Sequence, residues 1–302
     1  MSKVYVLGSI NMDMVISSPY IPKEGETLHG SNFFLNCGGK GANQAVAVAK
    51  QNVETYLVGN VGDDIFALEM IESLNKYNVG TKYVKRLAGI NSGVAVIVIS
   101  NNDNRIILDA GANNKICLSD IDEFLNDVNE DDIFITQLEN NIDAVLYGIK
   151  KAKEKKMITI FNPTPFKFID KEMYKYIDYL IVNEIEFKML SNVDYFNKEE
   201  VLKVINEFNI NNLIITLGKE GSLFINKDLY YKIESNKVEV VDTTAAGDTF
   251  VGVFASELAK KKDIVSSLNY SSIAASLTCT KEGAQKSIPT LNEINSYLNN
   301  LK

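Results

Sequence analysis

Short apolar runs alternate with amphipathic segments along most of the chain. Runs rich in β-branched residues predict six strands, at residues 4–8, 55–61, 132–136, 158–162, 179–183 and 213–217. Apolar residues at helical spacing predict helices at about 41–50, 64–77, 141–154, 184–190, 198–208, 247–260, 263–280 and 290–300. Strands and helices in this order predict an α/β fold whose mainly parallel central sheet is covered by helices on both faces.

Two segments interrupt this alternation, at residues 11–36 and 91–110. Both contain apolar residues at every second position and no helical pattern, as at Val94, Val96 and Val98. We therefore expect a small antiparallel sheet attached to the edge of a single domain spanning residues 1–302, where it serves as a lid. Part of its apolar surface must be covered, and a second copy of the chain is a plausible cover, which predicts a homodimer.

Composition excludes several classes of protein. The 302 residues are 46% hydrophobic and 23% charged, which is typical of a globular protein, and the net charge of −8 argues against a nucleic-acid partner. No stretch reaches the roughly 18 apolar residues of a membrane helix, and the first apolar run ends at Gly8, too early for a signal peptide. Three separated cysteines without a CxxC pair predict free thiols in the cytoplasm, and a single histidine, His29, excludes a His-rich metal site.

The segment VDTTAAGDTFVG, residues 241–252, carries the strongest chemical signal. A β-branched run at 238–241 predicts a strand, which is followed by small residues and then by a helical pattern. Backbone N–H groups at such a helix start form an anion site, here at Ala245, Ala246 and Gly247. Asp248 lies in the first turn, where it either stabilises the helix end or accepts a proton from a hydroxyl that attacks phosphorus.

A second glycine-rich segment, CGGKGANQ, occupies residues 37–44. It is neither a P-loop nor a GxGxxG motif, because Gly41 follows Lys40 and Gln44 stands in the position of the last glycine. Glycine here allows another molecule to approach the backbone, while Lys40 and Asn43 project polar groups. The alternative is an ordinary glycine-containing helix start.

Other polar residues follow predicted strands. Asn11 and Asp13 point the same way on an extended segment, which suits hydrogen bonding to a polyol or, equally, an Asx-turn. Asn183 and Glu186 are spaced as a capping box, and the same carboxylate could hold the waters of a Mg²⁺ ion. The segment 216–218 opens a turn after a strand, where a nucleotide could lie on the backbone.

Taken together, these segments resemble the ribokinase family of carbohydrate kinases over almost the whole chain. The matching segments, in order, are GSINMD, GGKGAN, QLE, NPTP, VNEIE, ITLGKEG, DTTAAGDTFVG and GAQKSIP. The resemblance implies a three-layer α/β/α sandwich of the ribokinase-like type, with a small antiparallel β lid that also forms a dimer interface. It implies transfer of the γ-phosphate of ATP to O5 of D-ribose, giving ribose 5-phosphate.

The resemblance also assigns roles to individual residues. Asp248 is the expected general base, and the amides of residues 245–248 are the expected anion hole. The sugar would be held by Asn11, Asp13, Gly39, Lys40, Asn43, Glu139 and Asp248. The nucleotide would contact Asn183, Thr216, Gly218, Gly247 and Ser272. Members of the family often carry Asn or His at the position of Ser272, so the contact with the adenine base is the one departure in this set.

Two kinds of ion are implied by the same resemblance. Mg²⁺ would lie near Asn183 and Glu186. A monovalent cation, expected to be K⁺, would lie beside the anion hole and be held mostly by backbone carbonyls, at Asp242, Thr244, Thr278, Lys281, Gly283 and Ser287.

Three alternatives stay open at this point. The acceptor could be deoxyribose, fructose or adenosine rather than ribose. The chain could be a sugar-binding sensor without activity, although it retains Lys40, Gly247 and Asp248. It could also be a nicotinamide-dependent oxidoreductase on a doubly wound sheet, although no complete GxGxxG is present.

Overall fold

A nine-stranded sheet forms the centre of the computed structural model, which describes residues 1–101, 103–195 and 197–300. Its strand order is β13-β12-β11-β10-β9-β8-β1-β4-β5, and all neighbours run parallel except β11–β12 and β12–β13. The strands are β1 (Val4–Leu7), β4 (Thr55–Val61), β5 (Gly80–Arg86), β8 (Ile133–Thr136), β9 (Ile158–Phe161), β10 (Tyr179–Asn183), β11 (Asn212–Thr216), β12 (Ser222–Ile225) and β13 (Tyr230–Ile233).

Helices cover both faces of this sheet, which confirms the three-layer α/β/α sandwich. They are α1 (Lys40–Ala49), α2 (Ile65–Lys76), α3 (Leu118–Leu125), α4 (Ile142–Glu154), α5 (Glu184–Ser191), α6 (Lys198–Phe208), α7 (Ala246–Ala259), α8 (Ile264–Thr278) and α9 (Leu291–Asn300). One core joins α1, α2, α7 and α8 to one face of the sheet, and a second core joins α3, α4, α5 and α6 to the other. Within the described ranges, no helix is both long and apolar enough to cross a membrane.

Alternation along the strands explains the two cores. In β1, Val4 and Val6 belong to one core, whereas Tyr5 and Leu7 belong to the other, and all four are at most 1% exposed. Successive side chains of a strand point to opposite faces, so a parallel strand buried on both sides is apolar at every position. This is why these strands appear as continuous apolar runs in the sequence.

The six predicted strands are all present, and three strands and one helix were not predicted. Strands β12 and β13 are four residues each and form the antiparallel edge, where Tyr231 is 44% exposed. Edge strands are short and polar on their solvent side, so their pattern is weak. Strand β5 is similarly mixed, with lysines beside buried Tyr83, and helix α3 spans only eight residues.

A second, four-stranded sheet contains the predicted lid. Its order is β3-β2-β6-β7, built from β2 (Asn11–Ser17), β3 (Ser31–Gly38), β6 (Gly93–Ser100) and β7 (Asp103–Asp109). The pairs β2–β3 and β6–β7 are antiparallel, as expected, whereas β2 and β6 at the centre run parallel. Two antiparallel hairpins from distant parts of the chain therefore meet side by side.

Helices α1 and α7 approach each other unusually closely. A Cβ atom on Gly252 of α7 would lie 2.5 Å from the carbonyl oxygen of Gln44 and 2.6 Å from Cβ of Ala47, both in α1. Only glycine leaves room for this contact. The amino-terminal ends of both helices are thereby fixed next to each other at the carboxyl edge of the sheet, where ligands bind in folds of this kind.

Candidate active site

The buried carboxylate of Asp248 lies where α1 and α7 begin. Its Oδ2 accepts a hydrogen bond from Nδ2 of Asn43 at 3.0 Å, and its Oδ1 accepts one from Nε2 of Gln44 at 3.1 Å. Burial raises the pKa of Asp248, while Lys40 and the two amide donors lower it, and the net direction is upward. A carboxylate with a raised pKa is a stronger proton acceptor than a solvated one.

The turn before α7 leaves backbone amides available. Ala245 adopts a left-handed conformation, with φ of 62°, and no side chain caps the helix. The amide of Ala246 donates to the carbonyl of Thr243 at 3.2 Å, so one of the four predicted donors is engaged. For the amides of Ala245, Gly247 and Asp248, no acceptor is found among the described residues. Three N–H groups therefore remain for an anion beside the carboxylate.

The predicted strand at 238–241 is absent, which corrects the expected strand–turn–helix junction. This segment is irregular, and Val240 and Val241 are more than half exposed. Instead of pairing in the sheet, the amides of Val241 and Asp242 donate to the carbonyl of Cys279. The amides of Val241 and Asp242 are therefore engaged by the residue that follows α8, and the run does not join the open edge strand β13.

Three of the predicted sugar residues, together with Glu186, surround Lys40 with negative charge. Burial alone would lower the pKa of the Lys40 ammonium, but the carboxylates of Asp248, Glu139, Glu186 and Asp13 outweigh it and raise that pKa. Glu139 follows β8 and accepts hydrogen bonds from the hydroxyl of Ser9 and, at 3.4 Å, from the amide of Lys40. One partly buried cation thus balances several carboxylates at the carboxyl edge of the sheet.

The first residues of β2 complete this cluster, and their side chains point the same way, as their spacing predicts. Asn11 and Asp13 are nearly buried and lie on one face of the strand. Oδ1 of Asn11 accepts from Nδ2 of Asn113 at 2.7 Å, which leaves the amide group of Asn11 to donate. Gly38, opposite Asn11 in β3, has no room for a side chain, because a Cβ there would lie 2.3 Å from Oδ2 of Asp13.

Gly39 and Asn43 also show features of a binding site. Gly39 has φ of 92°, and a Cβ there would lie 2.7 Å from the carbonyl oxygen of Ser9. Oδ1 of Asn43 is buried without a partner. A buried polar atom without a hydrogen bond costs about 1–3 kcal/mol, so this oxygen is suited to accept from a ligand hydroxyl.

The predicted nucleotide residues lie on neighbouring strands. Asn183 ends β10, Thr216 ends β11, and the two are paired in register. Gly218 follows with φ of 53° and open space around its Cα. Ser272 of α8 is buried, and its hydroxyl faces the carbonyl of Glu234 at 3.5 Å, so a contact with an adenine base remains a prediction.

Asn183 and Glu186 form the capping box that their spacing predicts. The amide of Asn183 donates to Oε2 of Glu186 at 2.9 Å, and the amide of Glu186 donates to Oδ1 of Asn183 at 2.8 Å. The cap engages only one oxygen of the Glu186 carboxylate. In the part of the chain that the structure describes, no group of three or more His, Cys, Asp or Glu side chains could hold a metal by itself.

The predicted cation residues come together from two loops. Oδ1 of Asp242 accepts from the amide and hydroxyl of Thr244, and its Oδ2 accepts from the amide of Gly283 at 2.9 Å. Thr278 donates to Thr249, the residue after Asp248. The side chains of the two remaining residues point to other partners: Lys281 pairs with Glu293, and Ser287 donates to the carbonyl of Ala284. The prediction for these two residues therefore rests on their backbone carbonyls alone.

Ser9, Gln44 and Asn113 each bond to a residue of the predicted set, and Asn162 bonds to Gln44, but none of the four was singled out from the sequence. Ser9, Gln44 and Asn162 stand inside the segments GSINMD, CGGKGANQ and NPTP, which was the only signal for them. Residues adjacent in a helix point in different directions, so nothing in the sequence indicated that Asn43 and Gln44 both reach Asp248.

The fold and the site define a phosphotransferase that acts on a small polar acceptor, and comparison with known proteins gives its family. A family model described as pfkB family carbohydrate kinase matches residues 1–291. The chain belongs to this family, and the predicted kinase activity and family membership are confirmed.

Similar proteins cover the chain from end to end. The ribokinase of Lactococcus lactis is 37% identical over 308 residues, covering 100% of this chain and 99% of the relative. The deoxyribokinase of Salmonella typhi is 33% identical over 300 residues, covering 98% of each. The structure of Arabidopsis thaliana ribokinase complexed with ribose and ATP superposes with a TM-score of 0.90 at 28% identity, covering 99% of each chain.

The pKa of the Asp13 carboxyl gives a test of the electrostatics of the cluster around Lys40. Burial, followed by the charges of Glu139 and Asp248, raises its pKa to about 7, against an ordinary value of 3.8. Between these two values the folded state binds a proton that the unfolded state has released, so stability falls as pH rises. We expect Asp13→Asn to remove this loss, so that the variant becomes progressively more stable than the wild type from about pH 4 to pH 8, while its sugar affinity falls.

Urea unfolding of the two proteins across this pH range measures the difference. Asp228→Asn is the control, because Asp228 is exposed and should leave the pH dependence of stability unchanged. A difference between Asp13→Asn and wild type that stays constant with pH would contradict the raised pKa.

Proposed function

We propose that the chain transfers the γ-phosphate of ATP to O5 of D-ribose, giving ribose 5-phosphate and ADP. The observation that carries the proposal is the buried carboxylate of Asp248 beside three unengaged amides, those of Ala245, Gly247 and Asp248 itself. The names of the relatives support the substrate: ribokinases of several organisms match over the whole chain, and one solved structure of a ribokinase holds ribose and ATP.

In this mechanism Asp248 accepts the proton of the primary hydroxyl. The hydroxyl oxygen forms a bond to the γ-phosphorus as the bond to the bridging oxygen of ADP breaks. The free amides at the start of α7 stabilise the charge that develops on the transferred group, and the fixed positions of the reactants provide most of the remaining acceleration.

The sugar is held by the polar cluster around Lys40. We assign hydrogen bonds between its hydroxyls and the side chains of Asn11, Asp13, Asn43, Lys40 and Glu139, with the sugar lying against the backbone of Gly39. The unpartnered oxygen of Asn43 supports this assignment, because a sugar hydroxyl would satisfy it. An acceptor that lacks a matching hydroxyl leaves such atoms unpaired and is disfavoured.

We place the nucleotide along the ends of β10 and β11. Asn183 and Thr216 flank it in register, the open turn at Gly218 lies under it, and Gly247 contributes its amide to the phosphates. Ser272 lies near the adenine base in this proposal.

Two ions belong to the proposal, and the residues present suit both. Mg²⁺ keeps most of its waters when it binds phosphates, so the free oxygen of Glu186, held by the capping box with Asn183, could orient those waters. Bound there, the ion would neutralise phosphate charge.

K⁺ is the proposed monovalent cation, with oxygen ligands from the carboxylate or carbonyls of the two loops beside α7. Carbonyl oxygens can replace its hydration shell. The hydrogen bond of Gly283 to Asp242 supports this site by joining the loops. The complete proposed set is Asp242, Thr244, Thr278, Lys281, Gly283 and Ser287.

Deoxyribose is the second candidate acceptor. The Salmonella typhi deoxyribokinase matches this chain at 33% identity over 98% of both sequences, which is comparable with the ribokinases. Fructose and adenosine remain further acceptors to compare. Absence of turnover with every acceptor, despite tight sugar binding, would indicate the inactive sensor instead.

A substrate panel tests this proposal. We expect D-ribose to give the highest kcat/KM, ahead of deoxyribose, fructose and adenosine, and we expect K⁺ to increase the rate. Coupled detection of ADP with each acceptor, in potassium and in sodium-free tetramethylammonium buffer, measures both effects. A higher kcat/KM for deoxyribose would make deoxyribose the preferred acceptor instead of ribose. Equal rates in the two buffers would exclude activation by K⁺.

The base assignment has its own test. Asp248→Asn keeps the side-chain shape but cannot accept the proton, so we expect kcat to fall by about 10²–10⁴-fold while ribose still binds. Steady-state kinetics and calorimetric titration with ribose measure the two properties. Turnover within a few-fold of wild type would refute the role of Asp248.

We also propose a homodimer formed through the lid. The register places Leu35, Met14, Val96 and Ile107 in one row across the four strands, on the face opposite Asp13. Leu35, Val96 and Ile107 of this row, and Phe33 two residues before Leu35 in β3, are exposed, with Ile107 at 73%. A contiguous apolar surface of this kind is suited to cover the same surface of a second copy.

A charge in this row should prevent the association. We expect Ile107→Asp to convert the dimer to a monomer in sedimentation equilibrium. Leu229→Asp, which alters an exposed residue in the turn between β12 and β13, should leave the dimer intact. A wild-type monomer, or a dimer that survives Ile107→Asp, would exclude this interface.

We propose the cytoplasm as the location of the protein. Cys37, Cys117 and Cys279 are all free thiols, which suits a reducing compartment. ATP and small sugars are available there as its partners.

A further inference from the structure

Gln44 is completely buried behind the proposed base. It lies one residue after Asn43 in α1, and its exposed fraction is 0%. Its Nε2 donates to Oδ1 of Asp248 at 3.1 Å and to Oδ1 of Asn162 at 3.3 Å. Gln44 therefore touches the carboxylate without lying on the surface that a sugar would contact.

The two oxygens of the carboxylate have different partners. Oδ2 bonds to Asn43, which belongs to the proposed sugar site and carries an unpartnered oxygen of its own. Oδ1 bonds to Gln44, which has no route to a ligand. Oδ2 is thus available to exchange its hydrogen bond with Asn43 for one with the substrate, while Oδ1 stays bonded to the protein.

A chain of buried amides fixes the orientation of Gln44. Nδ2 of Asn162 donates to the backbone carbonyl of Ile181 in β10 at 2.8 Å, so Oδ1 of Asn162 faces Gln44. Nε2 of Gln137 donates to Oε1 of Gln44 at 2.6 Å. Both contacts require the nitrogen of the Gln44 amide, and not its oxygen, to face Asp248. In the reversed orientation, Oε1 of Gln44 would lie against Oδ1 of Asn162, and two acceptors would face each other without a proton between them.

We propose that Gln44 is a positioning residue for phosphoryl transfer, which anchors Oδ1 of Asp248 through an amide relay that begins at the carbonyl of Ile181. The inference rests on the proposed role of Asp248 as the base. The relay holds the carboxylate in one rotamer and leaves Oδ2 directed toward the acceptor hydroxyl. It also supplies an N–H donor that stabilises the ionised form of a buried acid.

Removing this donor has a predictable effect on the pH profile. Asp248 must be ionised to accept a proton, and loss of a hydrogen bond to the ionised form raises its pKa. The acidic limb of kcat therefore moves to higher pH. The charged groups that act on Asp248 or on its partner Lys40 are Lys40 of α1, Asp13 of β2, Glu139 after β8 and Glu186 of α5, and none is altered by the substitution.

The experiment compares Gln44→Met with Gln51→Met. Gln51 is a second completely buried glutamine just beyond the same helix, but its Nε2 donates to the carbonyl of Pro289, away from the site. For Gln44→Met we expect kcat at pH 7 to fall roughly 10- to 100-fold, with KM for the sugar changed less than about threefold. We expect the acidic limb to move up by at least about half a pH unit, and Gln51→Met to keep the wild-type profile.

A direct titration separates this inference from the proposed function. The carboxyl carbon of Asp248, labelled with ¹³C and assigned by its absence in Asp248→Asn, is followed by NMR against pH without substrate. A higher titration midpoint of Asp248 in Gln44→Met supports the relay, whether or not the protein phosphorylates a sugar. Absence of sugar phosphorylation would refute only the proposed function. An unchanged midpoint, or a fall in kcat that is equal at all pH values, overturns the inference.

A further variant covers the case in which Gln44→Met does not fold. Gln137→Met leaves Asp248 and Gln44 in place but removes the donor that orients the amide of Gln44. A smaller upward shift of the same midpoint is expected. An unshifted midpoint in a folded Gln137→Met protein would contradict the relay.

Discussion

The close contact between α1 and α7 is the constraint on which the rest of the site depends. Gly252 permits the backbone of one helix to meet that of the other, and both helices then begin at the same edge of the central sheet. One helix start brings an acid and free amides, and the other brings a lysine and two side-chain amides. Their juxtaposition places the carboxylate and the free amides of α7 beside the lysine and the side-chain amides of α1.

Electrostatic balance is the second consequence of this arrangement. Carboxylates from a strand, a loop and two helices gather around one ammonium group at Lys40, in a protein that is already acidic overall. Burial raises the pKa of Asp13, and the neighbouring charges of Glu139 and Asp248 raise it further. Four carboxylates around one ammonium group are a pattern found at functional sites, where charge is concentrated at a cost in stability.

Much of this architecture could be predicted from the sequence, and the failures have physical reasons. Buried parallel strands and amphipathic helices leave strong local patterns, so the layers and most site segments were identified. The segment at Val238 to Val241 was wrongly assigned, because β-branched residues favour extended backbone whether or not a neighbouring strand exists. The bond between Gln44 and Asp248 spans 204 positions and follows from helix packing, which no local pattern records.

The short connection between β1 and β2 has a mechanical meaning. Only three residues separate the end of a central core strand, at Leu7, from Asn11, the first residue of the four-stranded sheet. Asn11 and Asp13 therefore cannot change position independently of the sheet that they begin. In the function proposed above, recognition of the acceptor and any movement of this sheet would be one displacement, because the side chains that bind the sugar belong to the moving part.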